Sequence, residues 1–457
     1  MGNGHGVAAL LDQVHLDEND DEEQILLDNE AATLESNYIE LDENAKKRIE
    51  REAWWKNVLI KPFAKDGSAL FSHPAILAAA EEIERVCDES EKVLVFGKLT
   101  RPLQALVQLL NAREMLKSID TNRLWPQSKV AESDWPAIVV AHQQLKRQGE
   151  LDRAVLDSIL AEQYRVLENQ RRNIRGKLLY LIESGFNSIE DPKKGVQARM
   201  LFKVFQESIE FGSGIDQNDE HHSLAMVSRA IHELIGDDVE NASPVDFALA
   251  FIDLVTTISD PDEESKDSGV QLDKLICSNQ WIVLTGRLKE EYNRPEGGFA
   301  RLMYGKTKPE TRRLLQLAFN RKHGHPKVLV AQSLVGREGL NLHKACRTVV
   351  LLHPEWNPGV VEQQIGRVDR LDSLWSEKLN QAVKDGLASN ELPRIEIRPV
   401  VFKGTYDEKN WEVLQARWDD LRAQLHGVVI SPRIAERYPH AEDLVNEINS
   451  AAPNFSP

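Results

Sequence analysis

Three short runs without polar alternation, Lys92-Val-Leu-Val-Phe96, Val328-Leu-Val-Ala331 and Thr348-Val-Val-Leu-Leu352, constrain the fold most. A strand that is apolar at every position is buried on both faces, as strands of a parallel sheet are. Segments of helical periodicity lie between and around them: 75–86, 102–116, 309–320, 358–371 and 407–425. Residues 299–304 and 395–402 read as further strands. Strands alternating with helices imply right-handed crossovers, hence an α/β parallel sheet with helices on both faces. In such sheets ligands sit beyond the carboxyl ends of the strands.

Residues 117–290 break this rhythm. Helical patterns at 154–167, 177–184, 196–211, 223–235 and 244–258 follow one another, with acidic loops at 216–220 and 260–267. Trp281-Ile-Val-Leu284 is the first run in this part that reads as a strand. The segment is expected to be a large all-helical insertion. The predicted organisation is an acidic leader over 1–52, the first part of the α/β lobe over 53–116, and the insertion over 117–290. The rest of the lobe follows over 291–425, and a tail over 426–457.

Charge is a misleading guide to partners here. The chain of 457 residues carries a formal net charge of −17, which on its face disfavours nucleic acid. Residues 1–50 hold 14 acids against 3 bases, so most of the excess belongs to the leader. No apolar run approaches the length of a membrane span, and the start lacks the basic and apolar regions of a secretory signal. The three cysteines, Cys87, Cys277 and Cys346, are far apart. They exclude a disulfide scaffold and a structural zinc site and lead us to expect a cytoplasmic protein.

The chemistry concentrates after the third apolar run. In Gln363-Gln-Ile-Gly-Arg-Val-Asp-Arg370, continuous helix would put Gln363, Arg367 and Arg370 on one face. Val361, Ile365, Val368 and Leu371 would then anchor the other side. Two guanidiniums with Gly366 beside them form a fork for phosphate oxygens, the arrangement that stabilises charge on a transferring phosphoryl group. Upstream, Gln332-Ser-Leu-Val-Gly-Arg-Glu-Gly-Leu-Asn-Leu342 is a strand end running into a loop with Gly336 and Gly339.

The order of Lys92-Val-Leu-Val-Phe-Gly97, Tyr304-Gly-Lys-Thr-Lys-Pro-Glu-Thr-Arg312, Ser333 with Gly336-Arg-Glu-Gly-Leu-Asn341, Trp356-Asn-Pro358 and Gln363 to Arg370 resembles the second RecA-like lobe of superfamily-2 helicases. It is most similar to the Swi/Snf-related branch, and within it to bacterial RNA-polymerase-recycling ATPases. Lys403-Gly-Thr-Tyr-Asp-Glu408 fits the strand-to-helix step that follows the arginine motif in that branch. The resemblance implies a RecA-like fold and makes Arg367 and Arg370 arginine fingers. It places Gln363, Gly366, Glu338, Gly339 and Asn341 around the nucleotide. It brings Lys98, Thr100, Lys306, Thr307 and Ser333 toward a nucleic-acid backbone. Lys98, Thr100, Lys306 and Thr307 serve equally well as ordinary exposed loop residues.

The resemblance also implies ATP and Mg²⁺, double-stranded DNA, and a P-loop-bearing first lobe in cis or in trans. Tyr304-Gly-Lys-Thr307 looks like the end of a P-loop, but Ala300 stands where the first glycine is required. Leu16-Asp17-Glu18 has too few residues before it for a nucleotide-binding half. The chain is therefore expected to be the C-terminal part of a longer translocase, inactive alone. The alternative is a non-catalytic nucleic-acid-binding or protein-binding module that retains the lobe. In the insertion, Arg165, Arg171, Arg172, Arg175 and Lys177, with Lys193 and Lys194, form either a phosphate track or a solvated helix face. His221, His222 and His232 lack metal-site spacing.

Overall fold

The computed structural model describes residues 70–189, 196–210, 223–236, 239, 241–259, 274–292, 298–333, 340–388, 390–425, 428–430, 434–435 and 437–451. The leader, residues 53–69, the two acidic loops, His221, His222, Lys193 and Lys194 lie outside them.

The chain enters through α1 (Pro74–Asp88), started by Pro74 and capped by His73, whose Nδ1 accepts from the Ala75 N–H at 3.3 Å. β1 (Lys92–Gly97) and the long α2 (Thr100–Asp120) follow. A helical series comes next: α3 (Trp135–Gln144), α4 (Arg153–Arg175), α5 (Leu178–Ser188), α6 (Val196–Glu210), α7 (Ser223–Ile235), α8 (Pro244–Ser259) and α9 (Lys274–Tyr292). The alternation resumes with β2 (Ala300–Met303), α10 (Pro309–Phe319), β3 (Val328–Gln332), β4 (Cys346–Leu351) and α11 (Pro358–Ile365). After α12 (Leu374–Lys384) come β5 (Glu396–Pro399), α13 (Tyr406–Leu425) and α14 (Glu442–Ser450).

All five strands are parallel, in the order β2-β3-β1-β4-β5. This is a RecA-like α/β sheet with helices on both faces. β1 is its centre, with Leu94 opposite Leu329 on one side and Val349 on the other. Successive side chains point to opposite faces. Val93 and Val95 pack with Val328, Val330 and Val350 under α1, α2 and α3. Leu94 and Phe96 pack with Leu329, Val349 and Leu351 under α10, α11 and α13. The unbroken apolar runs reflect this double burial.

A separate core holds the insertion together, built from Phe186, Phe202, Phe205, Phe251 and Trp281 among others, and reaching Leu314 of α10. α3 and the start of α4 belong to the sheet's core instead, through Ile138, Ala141, Leu156 and Leu160.

Two sequence expectations need correction. Trp281-Ile-Val-Leu284 is helical, inside α9: Trp281, Leu284 and Leu288 are buried while Ile282 is 67% exposed. The burial period is that of a helix, which overrides the β preference of the local residues. The helix expected over 358–371 ends at Ile365, and Gly366 is its C-cap. The N–H of Val368 then bonds Ile365 O at 2.9 Å, an i to i−3 pattern that tightens the chain into a turn. Gln363, Arg367 and Arg370 therefore do not share a helical face. Leu371, expected as an anchor, is 90% exposed, whereas Val361, Ile365 and Val368 are buried.

Candidate functional site

The parallel sheet brings the carboxyl ends of β2, β3, β1 and β4 into one row, and the predicted residues collect there. β1 ends at Gly97, Lys98 follows, and Thr100 opens α2. Ser333 follows β3, and its N–H bonds Gly97 O at 2.8 Å. Beside it, Gln332 ties neighbouring strand ends: Nε2 donates to Lys98 O at 3.4 Å, and Oε1 accepts from the Gly305 N–H at 3.2 Å. The Leu352 N–H after β4 bonds Phe96 O at 2.8 Å.

The arginine segment joins this row through a residue the motif reading passed over. Gln364 is buried, and its Nε2 donates to Ser333 Oγ at 3.2 Å. Gln363, its neighbour in the doublet and the residue named from sequence, is exposed. A doublet of glutamines at the end of a helix is a visible signal, but sequence does not say which of the two faces inward.

Arg367 and Arg370 differ in setting. Arg367 is 6% exposed, and its carbonyl accepts from the Leu342 N–H at 3.0 Å. Burial, and then the charge of Arg370, lower its guanidinium from the usual arginine range. Arg370 is exposed, its Nε donating to Gly366 O at 3.2 Å. His343 lies near by, and its imidazole is held below the ordinary histidine value by burial, Lys344 and Arg370. Asn341 is half-buried, its carbonyl accepting from Asn320 Nδ2 at 2.6 Å. Glu338 and Gly339 lie outside the described residues.

Two further groups at the strand ends were not singled out from sequence. Glu355 is buried and pairs with Lys98 at 3.3 Å. His353, after β4, packs against Gly97, where a Cβ would come within 2.7 Å of its Nδ1. Burial, with Lys98 and His73 adding to it, pushes His353 down to about 3.

Tyr304-Gly-Lys-Thr307 is a turn after β2. Thr307 N–H bonds Tyr304 O at 2.9 Å, and Thr307 Oγ1 accepts from the Tyr304 N–H at 3.0 Å. With Gly305 N–H also engaged, these donors face the protein, which is unsuited to cradling a phosphate. Lys306 is exposed at the tip.

The basic cluster of the insertion is largely consumed by its own helix. Arg165 pairs with Glu162 at 2.7 Å, and Glu168 takes Arg175 at 2.8 Å and Arg171 at 3.6 Å. Arg171 is buried, so the cluster is no continuous phosphate track. Among the described residues no group of acids, histidines and cysteines could hold a metal ion, and no helix is long and apolar enough to cross a membrane.

Residues 273–372 match the helicase conserved C-terminal domain. Over 108 residues the chain is 33% identical to the SNF2 domain-containing protein CLASSY 4 of Arabidopsis thaliana. That match covers 23% of this chain and spans 10% of the relative's length. The C-terminal part of the Fun30 ATPase domain aligns over 53% of this chain and 94% of its own, at 11% identity and a TM-score of 0.19. So low a TM-score leaves the fold to the sheet topology itself. The matched stretch starts after most of the insertion, yet the sheet's central strand, β1, precedes the insertion. One lobe is thus assembled from both sides of the helical segment.

Proposed function

Because this chain carries the C-terminal lobe of a superfamily-2, Swi/Snf-related helicase, we propose that it supplies arginine fingers and backbone contacts to an ATP-driven translocase on double-stranded DNA. ATP with Mg²⁺ lies between this lobe and a P-loop-bearing first lobe, in cis or in trans. Arg370 and Arg367 face the phosphates and stabilise the charge that develops on the transferring γ-phosphoryl. Gln363, Gly366 and Asn341 border that cleft. Lys98, Thr100 and Lys306 hold the nucleic-acid backbone without reading bases, while the buried Ser333 and the inward-turned Thr307 shape the strand ends that carry them.

The observation that carries this reading is the Gln364–Ser333 hydrogen bond. It fastens the arginine turn to the strand end from which the 334–339 segment starts, so one rigid junction serves both the phosphate side and the nucleic-acid side. The turn at Tyr304–Thr307, with its donors turned inward, fits a lobe that does not anchor the nucleotide by itself.

The test is ATP hydrolysis by this chain with and without DNA, alone and mixed with a candidate first lobe. The chain alone stays at background, and the mixture hydrolyses ATP with stimulation by DNA. Arg370→Ala in the mixture abolishes hydrolysis and leaves the thermal unfolding curve in place. Normal turnover in that variant overturns the arginine assignment. A mixture that binds DNA but never hydrolyses ATP favours a non-catalytic binding module.

A further inference from the structure

The core of the insertion packs on Leu314, Leu317 and Ala318 of α10, and the carboxyl end of that helix holds the segment that braces the arginine turn. Asn320 is the C-cap of α10, and its carboxamide grips residues 341–344 at two points. Nδ2 donates to Asn341 O at 2.6 Å, and Oδ1 accepts from the Lys344 N–H at 3.1 Å. The two residues between those points hold both ends of the turn. The Leu342 N–H bonds Arg367 O at 3.0 Å, and His343 O accepts from the Leu374 N–H at 2.9 Å. One side chain thus fixes a short strap, and the strap fixes the backbone on either side of Arg370.

The turn depends on such bracing. Helix α11 has ended at Ile365, and Asp372 stands at φ 57°, in the left-handed region that residues with side chains enter at a cost. Such a conformation persists only where its surroundings hold it.

The insertion takes hold of the residues directly after Asn320. Arg321 pairs with Asp253 of α8. The His325 N–H bonds Glu233 O of α7 at 3.4 Å. Gly236, at φ 77°, lies so close to the same segment that a Cβ would meet His323 O at 1.9 Å. Residues 321–325 are therefore seated on α7 and α8, while Asn320 reaches the other way, to the strap.

We propose that the helical insertion positions the arginine turn: seated on residues 321–325, it holds Asn320 in place, and Asn320, through Leu342 and His343, sets where Arg367 and Arg370 stand. Asn320 is then a positioning residue, acting on the phosphates only through the two arginines. Its effect on hydrolysis rests on the arginine-finger reading, whereas the coupling of insertion to turn does not.

Amide hydrogen exchange of the full chain, read by mass spectrometry on peptides covering 366–374, tests the coupling. Asn320→Ala removes both side-chain bonds and raises exchange there about tenfold, while peptides of β1 stay protected. Asp253→Lys turns the ion pair with Arg321 into a repulsion and raises exchange at 366–374 several-fold. In the Asn320→Ala background it adds nothing there, because its effect reaches the turn through Asn320. Unchanged exchange at 366–374 in either single variant, or an equal increment from Asp253→Lys in both backgrounds, overturns the proposal. Should Asn320→Ala fail to fold, Asn320→Asp replaces it, keeping the acceptor for Lys344 and losing the donor to Asn341. In a mixture with a first lobe, well below the melting temperature, Asn320→Ala lowers kcat about tenfold and leaves KM for ATP unchanged. A parent mixture that never hydrolyses ATP defeats the arginine-finger reading, and the exchange result stands apart from it. An active mixture whose kcat does not respond to Asn320→Ala overturns the positioning role.

Discussion

Gln364 gives its side-chain amide to the Ser333 hydroxyl at 3.2 Å, and both side chains are buried, so the turn that carries Arg367 and Arg370 is fastened to the end of β3. Removing one partner strands the other away from water, which costs more than the net worth of the bond. Gln364→Ala should therefore lower the unfolding free energy by about 1–2 kcal/mol, and Ser333→Ala by less. In the double variant the losses should fall short of additive by about 0.5–1.5 kcal/mol. Urea unfolding of the four proteins checks this, and strict additivity would mean that the two side chains do not act as a pair.

Histidines at the sheet's carboxyl edge make stability depend on pH. Burial holds His73 at about 4 and His353 at about 3, both below the 6.5 of an exposed imidazole. As pH falls below 6.5 the unfolded chain takes up these protons while the folded chain does not. The stability they contribute is complete above the unfolded value and declines toward the folded ones. Between pH 6.5 and 5, above the range where most carboxylates titrate, the unfolding free energy should drop steadily as acid is added. His73→Gln should flatten that slope. An unchanged slope would place the proton uptake elsewhere.

The sheet was legible from sequence because its strands are buried on both faces, so β1, β3 and β4 appear as unbroken apolar runs. The insertion's helices were legible for the opposite reason, a stripe repeating every three to four residues. The runs that misled were decided by packing at a distance. Trp281 is helical because its ring packs, tilted by 34°, against Phe205 of α6 in the insertion core, with ring centroids 4.7 Å apart. α11 stops early because Gly366 caps it and Val368 turns back into the core below the sheet. Gln364 and Glu355 escaped notice because their meaning depends on Ser333 and Lys98, which lie 31 residues away and on another strand end respectively.

One glycine of the insertion has no freedom to change. Gly185 lies in α5 where α8 begins beside it, and a Cβ there would meet Pro244 O at 2.0 Å and the Ala248 Cβ at 2.7 Å. The first of these is backbone and cannot rotate away. Gly185→Ala should force α5 and α8 apart and destabilise the insertion core by roughly 3 kcal/mol or more. Limited proteolysis should then cut among α5–α9 first, while β1 to β4 stay protected. Stability equal to the parent chain would show that α8 can shift without cost.

The Lys98–Glu355 pair makes a prediction that separates backbone binding from ordinary surface charge. Glu355 is buried and its Oε2 lies 3.3 Å from the Nζ of Lys98, whose side chain is 42% exposed. If Lys98 meets a phosphate, Glu355 competes for the same ammonium and places a negative charge close to the nucleic acid. Glu355→Gln keeps the shape and removes that charge. It should tighten binding of a short DNA duplex several-fold, equally for unrelated sequences, and more so at low salt. Lys98→Ala should weaken binding across all sequences and reduce the slope of log affinity against log salt by about 1. Anisotropy titrations at several salt concentrations measure both effects. Weaker binding in Glu355→Gln would mean that the carboxylate orients Lys98, and an unchanged salt slope in Lys98→Ala would remove Lys98 from the interface.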